Sequence, residues 1–270
     1  MKVLGVVLVH NEDLFVRCAV ENILPCCDEV LILNHRSTDN TERIIQELAA
    51  AESKIRLLEI DDPTRSHEPL EEYVGRDYWV FGVDGDEIYD PVRTVAFFHS
   101  LREGRYSGVF QIRGNVLHVD EVEGSTFHGY LAPPGRAMNK LYNFSLLKSW
   151  TGCFERLHGG ERVLKDGVET EKRLAVSDDH DFAVSPFRCL HLVFLRRSSL
   201  DPDDFVPRLN IADQVSARWS VRISRYLRRI FGLPVASPGK LANYRVGDRE
   251  RIEDGSFRLQ KEELPLQADA

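Results

Sequence analysis

An α/β sandwich with a mostly parallel central sheet is the fold that this 270-residue sequence predicts. Two observations carry the prediction. Apolar runs of strand length recur through the first hundred residues, and stretches with helical spacing separate them. Strands apolar on both faces need cover on both, and connections long enough to hold a helix let neighbouring strands run parallel.

The elements follow in chain order. VLGVVLV, residues 3–9, is a continuous β-branched run and the first strand. EDLFVRCAVENIL then sets Leu14, Val16, Ala19, Val20 and Ile23 at helical spacing. EVLILN is a second strand, and a helix runs from Asp39 to about Glu52, with Asp39 and Glu42 placed for a capping box. IRLLEI and YWVFGV are strands three and four. Asp90-Pro91 has the form of an N-cap with proline in the first turn, and Gly104 closes that helix. From residue 108 to about 194 the pattern changes to strands and long loops, clearest in VFQIRGNVLHVD, NKLYNFSLL and RCLHLVF. Beyond residue 198 lie DPDDFVPRLNIADQ, a basic stretch and a polar tail. The expected division is a main domain at 1–198, with halves 1–105 and 106–198, and a C-terminal helical extension and tail at 199–270.

Composition narrows the class. Hydrophobic residues make up 43% and charged residues 29%, an ordinary globular balance. The net charge of -8 does not point to a nucleic-acid partner. The five cysteines form no C-x-x-C pair, which argues against a disulfide framework or a structural zinc site and fits a reducing compartment. MKVLGVVLVHNED is too short in its apolar run for a signal peptide, and no segment approaches the length of a membrane span. The expected location is the cytoplasm, free or peripheral on the inner face of the membrane. The peripheral option rests on SARWSVRISRYLRRIFG, where Arg218, Arg222, Arg225, Arg228 and Arg229 recur at helical spacing, with Trp219, Ile223, Tyr226 and Ile230 on another face. The competing role is a helix packed on its own domain through that apolar face.

The chemistry gathers where the strands end, which is where open α/β sheets bind ligands. The first strand ends at Val9 and runs into His10-Asn11-Glu12, the second into NHRSTDNT with Asp39, and the fourth into Asp84-Gly85-Asp86-Glu87. Carboxylates this close repel one another unless a cation, a donor or water relieves them. Asp84 and Asp86 suit a hard divalent cation such as Mn²⁺ or Mg²⁺. Ile88 and Tyr89, standing where an EF-hand loop needs glycine and oxygen ligands, argue against calcium storage. No glycine-rich phosphate loop follows the first strand.

Three pieces, VLVHNED, DEVLILNHRSTDNTERI and WVFGVDGDEIYD, stand in an order and spacing that resembles family 2-type glycosyltransferases of the GT-A fold, a Rossmann-like three-layer sandwich. The resemblance covers the first hundred residues and makes DGD the D-x-D element. It implies a nucleotide-diphosphate sugar (UDP-, GDP- or dTDP-linked) as donor, with Val9, His10, Asn11, Glu12 and Asp39 near the base and ribose. Asp84, Gly85 and Asp86 would lie at the ribose, metal and diphosphate, and Arg65 would be a further nucleotide contact. Family members often carry a later histidine near the metal, a place His191 matches. Arg196 or Arg197 would add positive charge near the phosphates.

In the region where such enzymes keep a catalytic carboxylate, Glu155, His158 and Glu161 compete, with Asp178, Asp179 and Asp181 behind them. Glu155 is preferred as general base because Trp150, Phe154, Gly159 and Gly160 surround it with loop-forming and sugar-covering neighbours; Asp181 is next. The expected reaction is metal-assisted, inverting glycosyl transfer to an unidentified hydroxyl. The alternatives are a sugar-phosphate nucleotidyltransferase, for which HNEDLF has the wrong chemistry to hold a triphosphate, and a non-catalytic nucleotide-binding protein on the same fold.

Overall fold

The computed structural model describes residues 1–132, 139–154, 157–168, 172–176, 179–201, 244–257 and 259. The first strands are β1 (Lys2–Val9), β2 (Glu29–Asn34), β3 (Ile55–Glu59) and β4 (Tyr78–Asp84), all parallel in the spatial order β4-β1-β2-β3. Helices α1 (Val16–Ile23) and α2 (Thr41–Ala51) supply the first two crossovers. After β4 come β5 (Glu87–Tyr89), α3 (Pro91–Arg102), β6 (Gln111–Arg113), β7 (Asn115–Glu123), β8 (Thr126–Leu131) and β9 (Asn139–Asn143). The hairpin β10 (Leu147–Phe154) and β11 (His158–Leu164), then β12 (Arg173–Ala175), β13 (Arg188–His191) and β14 (Arg249–Glu253), complete the described strands.

The central sheet has seven strands in the order β12-β6-β9-β4-β1-β2-β3. It is mixed, because β9 runs antiparallel to both β4 and β6. Its interior strands are buried on both faces, as the continuous apolar runs require. In β1, Val3, Val7 and Val9 join a core with α1, α2 and α3, while Leu4, Val6 and Leu8 face a second core. That second face is covered by short 3-10 turns around Leu70 and Tyr73 and by the β10–β11 hairpin through Leu147 and Trp150. Helices therefore cover one face of the sheet, and a hairpin and turns cover the other. No helix among the described residues is long and apolar enough to cross a membrane.

A second sheet, β14-β8-β7-β13-β5, stands against the outer side of α1, where Phe15, Cys18 and Ala19 meet Leu117, Val119 and Leu190. The change of sheet happens at Gly114. The expected single strand VFQIRGNVLHVD breaks there into β6 and β7, and a Cβ at Gly114 would stand 2.8 Å from the Phe187 ring. Another expected strand, NKLYNFSLL, is strand only to Asn143 and then turns as a 3-10 segment.

Helix α1 starts at Val16, later than expected, because residues 12–15 form a turn in which the N–H groups of Phe15 and Val16 both donate to Glu12 O. At α2, Asp39 accepts from the backbone N–H of Thr41 at 2.9 Å, but the capping box does not form, since Glu42 accepts from Gln46 instead. The third helix starts as expected: Asp90 caps it by accepting from Arg93 N at 3.1 Å, with Pro91 in the first turn. Residues 216–232, and with them the basic stretch, lie outside the described residues.

Candidate functional site

The tips of β1, β2 and β4 converge, as their parallel register demands. Asn11 has φ 54°, and with Arg36 at φ 47° it is one of two described non-glycine residues in the left-handed region. Both lie in the facing loops after β1 and β2, and conformations of this cost persist where the surroundings hold them, often at functional sites. Asn11 Oδ1 accepts from Thr38 N at 2.6 Å and Asp39 N at 3.4 Å, tying the two loops together. His10 donates from Nδ1 to His35 O at 2.5 Å. Glu12 N donates to Thr41 Oγ1 at 2.8 Å.

Asp39 is embedded in the same loop pair. Ser198 Oγ donates to it at 2.6 Å, alongside the N–H groups of Thr41 and Asp13. Burial pushes its carboxyl up, but the hydrogen bonds from Ser198 and Thr41 outweigh that and hold it below the usual carboxylate value. Residues 197–199 thus form a strap over the strand tips: Leu14 N donates to Arg197 O, and Ser199 N donates to Asp13 Oδ1 at 2.7 Å.

At the end of β4 the question of charge is answered by two cations from distant segments. Lys140 on β9 places Nζ 3.1 Å from Asp84 Oδ2 and 2.9 Å from Glu87 Oε1. Arg197 places Nη1 2.9 Å from Asp86 Oδ2 and 3.3 Å from Glu12 Oε1. Gly85 lets the turn close on Glu12, for a Cβ there would lie 2.1 Å from Glu12 Oε2. Glu87 is fully buried, and that burial pushes its carboxyl up to about 8 against the pull of Lys140.

Two strands of the second sheet bring histidines to this knot. In register, Glu87 of β5 pairs with His191 of β13, which pairs with His118 of β7, so all three side chains share one face. His191 Nε2 lies 3.7 Å from Asp86 Oδ1, a buried oxygen with no hydrogen-bond partner among the described residues. On its other side His191 Nδ1 is 3.0 Å from His118 Nδ1. Burial lowers the affinity of both rings for a second proton, to about 2 in His118, so both are neutral. Tyr244 lies over them, 4.4 Å from His118 and 5.7 Å from His191 between ring centroids. Burial and the nearby Asp84 push its hydroxyl up to about 12.

The donor set partly fits a divalent cation. Asp86 Oδ1 and the neutral His191 Nε2 face each other, an oxygen and an imidazole nitrogen that suit Mn²⁺. Among the described residues no three His, Cys, Asp or Glu side chains stand together as a complete metal site. Of the expected ligands Asp84, Asp86 and His191, Asp84 faces Lys140 at 3.1 Å, while Asp86 Oδ1 and His191 Nε2 lie 3.7 Å apart.

Of the other expected residues, Val9 is buried and its carbonyl accepts from His35 N at 2.9 Å. Arg65 is exposed and forks onto Glu68 at 2.6 and 3.0 Å. Arg196 donates to the carbonyls of Ser198 and Ser199, whereas Arg197 reaches the acids. Glu155 and Asp178 lie outside the described residues, Glu161 is an exposed position of β11, and Asp179 and Asp181 are exposed. Lys140, His118 and Tyr244 were missed from sequence. Two of them left a signal: Lys140 stands beside Leu141 and Tyr142 in a strand, and His118 sits within VLHV, a run buried on both faces.

No protein-family profile and no curated protein matches the chain. Among solved structures, residues 1–349 of S. aureus TarS in complex with UDP align at 18% identity over 55% of this chain and 48% of that one, with a TM-score of 0.40. The chain thus spans about half the length of that neighbour. Glucosyl-3-phosphoglycerate synthase from Mycobacterium tuberculosis, with Mn²⁺ and UDP, aligns at 15% identity over 87% of this chain and 81% of that one, TM-score 0.43. The 4-diphosphocytidyl-2C-methyl-D-erythritol synthase of Anaerococcus prevotii aligns at 12% identity over 54% and 71%, TM-score 0.34. Likenesses this low leave the functional reading to the site itself.

Proposed function

We propose that this protein is a GT-A glycosyltransferase that moves a sugar from a nucleotide-diphosphate sugar to an acceptor hydroxyl, with metal assistance and inversion. One observation carries the reading. Carboxylates from the tips of β1 and β4 meet a histidine and two protein cations at one point of the fold, where Asp86 Oδ1 is buried and has no hydrogen-bond partner among the described residues. A ligand bearing a diphosphate and its counter-cation would satisfy that oxygen.

Each residue then has a role. Asn11, Glu12 and Asp39, with Val9 and His10, line the base and ribose end of the crevice, and Arg65 would join them only by leaving Glu68. Asp86 and His191 would hold Mn²⁺ or Mg²⁺, and the cation, when bound, would supply Lewis-acid stabilisation of the departing diphosphate. Lys140 and Arg197 supply positive charge that would move from carboxylate to phosphate as the ligand enters. Glu155 takes the proton from the acceptor hydroxyl as the new bond to the anomeric carbon forms and the bond to the diphosphate breaks. The diphosphate leaves with that electron pair.

The test is a screen of UDP-, GDP- and dTDP-sugars for hydrolysis and transfer, with Mn²⁺ and with chelator. Nucleoside diphosphate released only with the metal supports the reading. Pyrophosphate released from a nucleoside triphosphate and a sugar phosphate would replace it with nucleotidyl transfer, and nucleotide binding without turnover would leave a binding protein. Glu155→Gln should lower turnover by roughly 10²–10⁴-fold and spare donor binding; if it transfers normally, Asp181 is the next base to test.

A further inference from the structure

A 3.0 Å separation between two imidazole nitrogens is a hydrogen bond with one proton, so one of His118 and His191 donates and the other accepts. The surroundings decide which. Were His191 protonated on Nε2, that N–H would face the buried carboxylate oxygen Asp86 Oδ1, which has no partner among the described residues, and the pair would close to ordinary hydrogen-bond length. It stands at 3.7 Å instead. That gap fits a lone pair facing an oxygen, with the His191 proton on Nδ1.

We propose that His118 is a positioning residue: it accepts the Nδ1–H of His191 and thereby aims the His191 Nε2 lone pair at the space beside Asp86, where a divalent cation would bind. Imidazoles that ligate metals nearly always donate their other N–H to a fixed acceptor, commonly a carboxylate or a carbonyl, which sets the tautomer and the ring angle. Here a second imidazole fills that role. Its own place is fixed by the backbone. His118 pairs with His191 across β7 and β13, is 2% exposed, and has the β8 backbone so close that a Cβ at Gly129 would lie 2.1 Å from its carbonyl oxygen. The Tyr244 ring covers both imidazoles, at 38° to one and 81° to the other.

The tautomer belongs to the free protein, whereas the aim at a cation rests on the metal-assisted reading above, so the two are tested separately. In ¹⁵N-histidine-labelled protein, long-range ¹H–¹⁵N correlation should find His191 protonated on Nδ1 and His118 on Nε2. Finding His191 protonated on Nε2 overturns the proposal. In His118→Phe, which keeps the bulk but cannot accept, His191 should lose its preference for Nδ1–H. Mn²⁺ binding read by electron paramagnetic resonance, with and without UDP or GDP, should then weaken about 10–100-fold. His118→Gln, whose amide oxygen can accept, should restore most of that loss, a rescue that packing alone would not give. Unchanged Mn²⁺ affinity in His118→Phe overturns the positioning role. Wild-type protein that carries the Nδ1–H tautomer yet binds no Mn²⁺ would sink the metal reading and leave the tautomer assignment standing.

Discussion

Only Ile88 and Tyr89 of β5 separate two buried clusters of charge that are built on opposite plans. After β5, Asp90 is fully buried and saturated. It accepts from Arg93 N, from Arg188 Nε and Nη2 at 3.1 and 2.8 Å, and from Ser256 Oγ at 2.9 Å. Arg188 is equally well satisfied, donating to the Phe182 and Ala183 carbonyls and pairing with Asp254 at 2.7 Å between the rings of Phe182 and Phe257. At the tip of β4 and the start of β5, Glu12, Asp84, Asp86 and Glu87 meet the cations Lys140 and Arg197, and among the described residues Asp86 Oδ1 has no hydrogen-bond partner. A saturated cluster of this kind fastens elements together, here α3, β13 and the segment after β14. On the function proposed above, the acids at the tip of β4 would instead serve binding, which sets structural charge and site charge within one short stretch of chain.

The comparison breaks most visibly at Arg188. Replacing it with Met strands a buried Asp90, and losing one partner of such a pair costs about 3–5 kcal/mol; urea unfolding should detect the loss. The mirror experiment is Asp86→Asn, which relieves repulsion in the knot. Stability should move by no more than about 1 kcal/mol, while turnover falls by roughly 10²–10³-fold, as when one preorganised electrostatic group is removed. Normal turnover in that variant, or full activity in excess chelator, would show that the knot is structural too.

Gly85→Ala should fall between the two plans, costing about 1–3 kcal/mol through overpacking against Glu12 and weakening nucleotide binding with it. A smaller effect concerns acid. Burial raises the Asp254 carboxyl, but Ser256 and Arg188 outweigh that and hold it below the ordinary 3.8. Its folded value is thus the depressed one, so its contribution is complete above 3.8 and is lost as pH falls through the folded value. Asp254→Asn should flatten that acid limb in a thermal melt. Least of all, Arg65→Ala should leave the melting temperature unmoved, since its pair with Glu68 is exposed; a change in donor affinity would place it at the nucleotide.

What the sequence made legible follows from range. The interior strands could be read because each carries its own signal, an unbroken apolar run, and Asp90-Pro91 announced α3 within two residues. The acidic half of the site was equally local: Asp84, Asp86 and Glu12 stand where strands end. The cations and imidazoles that answer those acids come from β9, β7, β13 and the strap, and no local pattern says that they meet. Lys140 is an ordinary lysine until β9 pairs antiparallel with β4. The short strand β5 was hidden for a related reason, because EIY after an acidic turn is strand only once β13 lies beside it. The capping box at α2 misled because Glu42 turns along the helix to Gln46, and the second oxygen of Asp39 takes Ser198, a partner 159 residues away.

The strap has a consequence for the order in which the molecule comes into being. Arg197 meets Glu12 across 185 residues and Asp86 across 111. During synthesis the acids of the first hundred residues leave the ribosome long before Arg197 does. Until residues 188–199 dock, the parallel strands must close around carboxylates that repel one another, and contacts of such range are slow to form. A fragment ending near residue 105 would keep that repulsion for good, and β4 would lack β9 while β5 lacked β13. The nascent chain should therefore stay sensitive to protease until the strap is complete, and the crevice should be the last part of the molecule to close.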